Sequence, residues 1–215
     1  MIWKPKRVLA LAPHTDDVEL GVGGTICRII GEGTEVYSAA FSIAQQSVPE
    51  GFPRDILATE VRQASAELGI LDDHLLVYDF EVRRFPQYRQ EILETLVKLR
   101  RELDPDLVFV NASSDIHQDH RTLHEESKRA FAGKTILGYE LPWNMDEFRS
   151  TMLVSLEKEH IEAKIRAVNC YKSQQHRFYA VEESVRGLAT LRGLPARVPY
   201  AEAFEVIRWI YPITK

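Results

Sequence analysis

Cysteine is nearly missing from this chain. Only Cys27 and Cys170 occur in 215 residues, both inside helix-like patterns, which fits reduced thiols in a cytoplasmic protein rather than a disulfide framework. Long apolar runs are missing too, so no segment is suited to insert across a bilayer. The opening stretch Met1–Arg7 has neither the apolar core nor the small-residue cleavage site of a secretory signal. Positive charge is not in surplus. The 27 Lys and Arg against 32 Asp and Glu leave a net charge of −5, which argues against nucleic acid as a partner. Repeats, low-complexity tracts and linkers are absent as well, so residues 1–215 read as one domain.

What the chain does have is 45% hydrophobic residues, set in alternating strand-like and helix-like runs. Arg7–Ala12, Thr34–Phe41, His74–Tyr78, Leu107–Asn111, Thr135–Tyr139, Met152–Ser155 and Ala203–Ile210 read as strands. Between them Gly23–Gly31, Asp55–Leu68, Tyr88–Leu103, a segment ending near Ala132, Leu156–Tyr171 and Glu182–Leu191 carry helical patterns. Leu107–Asn111 is uniformly apolar until its last residue, as a central parallel strand must be. The alternation predicts an α/β fold: a Rossmann-like, mainly parallel sheet with helices on both faces.

In such sheets, sites form outside the carboxyl ends of the strands. The first strand delivers His14, Asp16 and Asp17 there, and the fourth delivers NASSDIHQDH, which carries Asp115, His117, Asp119 and His120. Ionised groups at the end of a buried strand are costly unless something pairs with them, and a bound cation is the obvious candidate. Imidazoles and carboxylates together suit a catalytic Zn²⁺, and the same donor types suit Fe(II). Other polar features read more plainly. Gly21-Val22-Gly23-Gly24 reads as a tight turn that lets a helix pack closely on the sheet, because a charged segment separates it from the strand. Arg83 and Arg84 read as a solvated pair, Glu19 as facing the site or capping the following helix, and His74, His124 and His160 as structural or surface residues.

Pro13-His14-Thr15-Asp16-Asp17 with the glycines that follow resembles the His-Pro-Asp-Asp opening of the LmbE-like (PIG-L-type) N-acetylglucosaminyl deacetylases. His117-Gln118-Asp119-His120 resembles that family's His-Pro-Asp-His motif, and Ala58–Ile70 and Lys164–Gln174 are similar to its later segments. Thr15 and Gln118 replace two motif prolines, in spacer positions only. The resemblance implies a metal-dependent deacetylase of an N-acetylated amino sugar or conjugate. It implies His14, Asp17 and His120 as metal ligands, with zinc the expected ion. It further implies Asp16 as general base, and His117, supported by Asp119, as acid or oxyanion stabiliser. Arg54 stands near the place of a substrate-binding arginine. Three loops, Ser42–Pro53, Glu81–Gln87 and Tyr139–Arg149, would set specificity, with aromatic-rich Gly138–Phe148 as a pocket wall. A small-molecule substrate and an optional homo-oligomer are the expected partners. A non-catalytic nucleotide- or sugar-binding module, or a hydrolase of another small amide, are the competing readings.

Overall fold

A strand buried on both sides must be apolar along its buried stretch, and residues 8–13 of β1 (Arg7–His14) meet that demand. Val8, Ala10 and Ala12 face one core and Leu9 and Leu11 the other. The computed structural model describes residues 4–210; Met1–Trp3 of the opening stretch and the last five residues lie outside them. β1 pairs in parallel with β2 (Glu35–Ser42) and β4 (Leu107–Asn111). β3 (Leu75–Val77) extends the sheet beyond β2, and β5 (Thr135–Tyr139) beyond β4, both parallel. β7 (Tyr200–Arg208) runs antiparallel to β5, and β6 (Met152–Leu156) runs antiparallel to β7 at the edge. The order β3-β2-β1-β4-β5-β7-β6 gives one seven-stranded, mostly parallel sheet.

Helices α1 (Asp17–Gly31), α2 (Ile56–Glu67), α5 (Lys158–Asn169) and α6 (Glu182–Gly193) cover one face. Helices α3 (Arg89–Leu103) and α4 (Gln118–Ala130) cover the other. The predicted architecture is therefore present, with shifted boundaries. Helix α1 starts at Asp17 rather than Gly23, so its glycines lie inside a helix and not in a turn. Each costs on the order of 1 kcal/mol in helix propensity, which the close approach offsets. A Cβ at Gly21 would run into the Tyr139 ring, and one at Gly24 would meet Leu156 Cδ1 at 2.6 Å. Leu156 ends β6 instead of opening a helix, because Glu157 and His160 form a capping box that starts α5 at Lys158. The last strand begins at Tyr200, three residues before the expected Ala203.

The helix–sheet contact at Gly24 contains a charge. Glu202 of β7 accepts the N–H groups of Gly24 and Thr25 at 3.0 and 2.7 Å. It also accepts the Lys164 ammonium of α5 at 2.6 Å, with both side chains 5% exposed. Removing one partner of such a pair strands the other charge in the core. Glu202→Ala should therefore lower unfolding stability by about 3–5 kcal/mol in a denaturant titration. A loss under about 1 kcal/mol would show that Lys164 reaches water by itself.

Candidate metal centre and its pocket

Because β1 and β4 are neighbours, His14 at the end of one and the loop after Asn111 at the end of the other meet at one sheet edge. Two helices begin there as well. Asp16 is the residue before α1 with Asp17 in its first turn, and His117 is the N-cap of α4 with Asp119 in its first turn. Helix N-termini favour negative charge, so three acids sit where the backbone accommodates them.

Three donor atoms converge. His14 Nδ1 lies 3.1 Å from His120 Nε2 and 3.5 Å from Asp17 Oδ2, and the latter two are 3.4 Å apart. Metal bonds of about 2.0–2.1 Å at tetrahedral angles separate ligand atoms by roughly 3.3–3.4 Å, so this triangle fits a zinc-sized cation. His117 extends the group: one nitrogen from each of His14, His117 and His120 falls within 4.8 Å of the others. Each converging imidazole is held from behind by a carboxylate. His14 Nε2 is 3.1 Å from Asp119 Oδ2, and His120 Nδ1 is 2.7 Å from Asp115 Oδ2. That arrangement orients metal-binding histidines and raises their basicity.

The acids that hold the rings are themselves held. Asp119 accepts the Arg83 N–H at 2.5 Å and the Phe85 N–H at 3.2 Å. Arg83 adopts a φ of +68°, an uncommon backbone conformation for a non-glycine residue. Asp115 accepts the His117 N–H at 2.9 Å, and Asp17 accepts that of His14 at 2.8 Å.

The groups share protons unequally. Burial opposes charge on His14, but hydrogen bonds with Asp119 and Asp17 overcome it and raise the ring to about 10. Burial would raise Asp17, yet the charges of His120 and His14 bring it down to about 2. Asp16 is raised by burial and by the adjacent Asp17 charge, with Arg177 and His14 acting against them. His117 is lowered to about 4 by burial and by its charged histidine neighbours. Its Nδ1 accepts the Asp119 N–H at 3.2 Å, which leaves the proton of the neutral ring on Nε2.

The pocket above these groups encloses about 220 Å³. All three expected loops reach it, through Ser47, through Val82 and Arg83, and through Trp143 and Asn144. A fourth segment, with Gln174, Arg177 and Tyr179, lines it too. No periodicity marks that segment, since tertiary anchors place it. Glu60 of α2 accepts the Ser173 N–H and O–H at 2.9 and 2.6 Å. The Tyr171 hydroxyl donates to the Thr15 carbonyl at 2.6 Å.

Four expectations change. Arg54 is exposed just before α2 and is not among the pocket residues. The Asp119 carboxylate supports His14 rather than His117, because α4 turns it towards the strand end. Arg83 and Arg84 keep exposed side chains, but the Arg83 backbone is part of the site. Glu19 does not cap from the surface: it lies in the first turn of α1 at 1% exposure, and burial, with the nearby Asp16 charge, raises it to about 8.

Fold and site together define an α/β protein with a largely buried His/His/Asp donor set at the carboxyl edge of its sheet. The chain belongs to the PIG-L family, described as GlcNAc-PI de-N-acetylase, which matches residues 9–131. It is 27% identical over 177 residues to the uncharacterized deacetylase YaiS of Escherichia coli, covering 79% of this chain and 92% of that one. It is 24% identical to the diacetylchitobiose deacetylase of Thermococcus kodakarensis, covering 96% and 85%. A conserved protein from Thermus thermophilus superposes with a TM-score of 0.77 at 26% identity, over 96% of each chain. A 4-carboxy-2-hydroxymuconate hydratase from Pseudomonas putida superposes at 0.79 with 17% identity, over 98% and 99%, a likeness of fold alone.

The burial of His117 has a direct readout. In metal-free protein its ¹⁵N shifts should report a neutral ring with the proton on Nε2 at pH 6, titrating near about 4. A midpoint near the ordinary 6.5 would show that the ring is solvated.

Proposed function

We propose that the protein is a metal-dependent deacetylase that hydrolyses the acetamide of an N-acetylated amino sugar or its conjugate. The observation that carries this reading is the triangle of His14, His120 and Asp17, set beside a half-buried Asp16 that lines the same pocket. In this reading those three residues would hold the ion, with Zn²⁺ the expected one and Fe(II) suited by the same donors. Bound there, the ion would supply Lewis acidity, which would polarise the amide carbonyl and make a water more acidic. Asp16 takes the proton from that water as its oxygen attacks the carbonyl carbon. Its raised affinity for a proton equips it as a base near neutral pH. The proton then passes to the amine nitrogen as the C–N bond breaks. His117 donates from Nε2 to the carbonyl oxygen as charge develops there, an interaction typically worth ~10²–10³ in rate. Asp119 and Asp115 act through the rings that they orient.

The named activities of the relatives support acetamide hydrolysis, and a purely binding module would have no use for Asp16 beside a metal. Acetate release from a panel of N-acetylated sugars is the decisive assay. A metal-loaded, folded protein inert on all of them but active on another small amide would keep the hydrolysis and discard the sugar.

Alanine at His14, Asp17 or His120 should remove metal and activity together, and Zn²⁺ should restore chelator-treated parent protein. Full metal occupancy in His120→Ala would take that residue out of the ligand set. Asp16→Asn should retain the metal while lowering turnover by about 10²–10⁴-fold. Metal loss there equal to that in Asp17→Asn would exchange the roles of the two aspartates. Asp115→Ala should weaken metal affinity by about 10–100-fold in competition with a chromogenic chelator. An unchanged affinity would show that His120 needs no support.

A further inference from the structure

Arg83 has features that its backbone role does not require. Its φ of +68° lies in the left-handed region, which glycine adopts without steric cost and arginine does not. If the N–H given to Asp119 were its whole purpose, glycine would supply it better. An arginine held there at that cost has a use for its side chain. That side chain lines the metal pocket with Ser47, and its Nη2 donates to Ser47 Oγ at 3.1 Å. The neighbouring Arg84 is paired with Glu81 at 2.9 Å. Among the described residues the Arg83 guanidinium bonds no carboxylate, so the rest of its donor fork is unspent.

Its supports place it firmly. The Arg83 N–H donates to the same Asp119 oxygen that faces His14 Nε2, and the Arg83 carbonyl accepts the Gln118 side-chain amide. The Cα is thereby held from two sides, close behind a ring of the donor triangle. Across the rim, Ser47 stands in a turn that opens at Ala44, whose φ is +42°, and its N–H donates to the Ala44 carbonyl at 2.8 Å. Of the four non-glycine residues with positive φ among the described residues, Ala44 and Arg83 both line this pocket. Uncommon backbone conformations cluster where a site demands them. The Arg83–Ser47 bond joins two such turns over the pocket rim.

We propose that the Arg83 guanidinium is a substrate-binding group, which donates to hydroxyl oxygens of the amino sugar whose acetamide lies at the metal centre. The proposal rests on the deacetylase reading for the identity of this ligand. An acetamide seated at the donor triangle brings the hydroxyl on the adjoining ring carbon towards the rim. A planar fork of donors can serve two neighbouring oxygens there at once.

Arg83→Gly separates the two roles of the residue. It keeps the N–H that Asp119 accepts, relieves the left-handed backbone and deletes the guanidinium. Arg83→Asn does the same with a residue that tolerates this conformation and holds the turn more stiffly than glycine. Ser47→Ala removes the brace alone. Each is compared with the parent chain in KM and kcat for acetate release from N-acetylated sugars, and in metal affinity and Tm. The Kd of glucosamine, read by ligand-observed NMR, adds a measure that needs no turnover.

Both Arg83 variants should raise KM and the glucosamine Kd by roughly 10–100-fold, as loss of charge-assisted hydrogen bonds requires, with the loss falling on KM rather than kcat. Metal affinity and Tm should hold in both, and Ser47→Ala should move KM and Kd by less than about threefold. Parent-like KM and Kd in Arg83→Gly overturn the proposal. A loss that Ser47→Ala reproduces in full also overturns it, because the guanidinium would then only brace the rim. So does a fall in metal affinity alongside the rise in KM, because Arg83 would then act through Asp119. A parent chain that binds no glucosamine and releases no acetate overturns it as well. If glucosamine binds and both Arg83 variants lose it, while no sugar releases acetate, the contact stands and the deacetylase reading alone fails.

Discussion

The cost of crowding ionisable groups into a largely buried cleft governs this structure. His120, Asp115 and Asp119 are at most 2% exposed, and Asp17 is 4% exposed. Any one of them alone would be too expensive to bury in its charged form. They are tolerable as a set because each carboxylate faces an imidazole and accepts at least one backbone N–H. That requirement explains local oddities that have no other purpose in the fold. Arg83 holds a left-handed backbone so that its N–H can face Asp119, and His117 stands extended as an N-cap over the start of α4. A cation among the converging donors would complete the neutralisation.

Holding Asp16 and Asp17 in place depends on how near α1 lies to the sheet. Gly21 brings the helix against the Tyr139 ring, whose hydroxyl donates to the Leu11 carbonyl at 2.9 Å. Gly24 brings it against Leu156 and the buried Glu202. The glycines that might pass for a phosphate-binding loop thus act in packing. They set the depth at which the acidic pair meets the histidines, and so join the stability of the helix–sheet contact to the geometry of the site.

Much of this was legible in the sequence. Doubly buried strands such as Leu107–Asn111 announce themselves by unbroken apolarity, and the His and Asp positions at their ends follow from the topology that such strands require. The loops that reach the pocket were legible for the same reason, since they follow strand ends. The start of α1 was not, because three glycines lower helix propensity and only packing against Tyr139 and Leu156 restores it. The partner of Asp119 was hidden too: spacing places it near His117 along the chain, whereas His14 reaches it from another strand. Arg54 stood near the right loop in sequence, but it is exposed outside the pocket, while Arg177 and Tyr179 arrive from a segment fixed by Glu60 and Tyr171.

The central claim concerns which atoms would hold the ion, because a set of three histidines and a set of two histidines with Asp17 are both available in the same cleft. X-ray absorption of the zinc-loaded protein separates them directly. The account predicts a first shell of two imidazole nitrogens and carboxylate or water oxygens at about 2.0–2.1 Å. A shell with three imidazoles would contradict it, since His117 would then be a ligand and could not donate to the carbonyl oxygen.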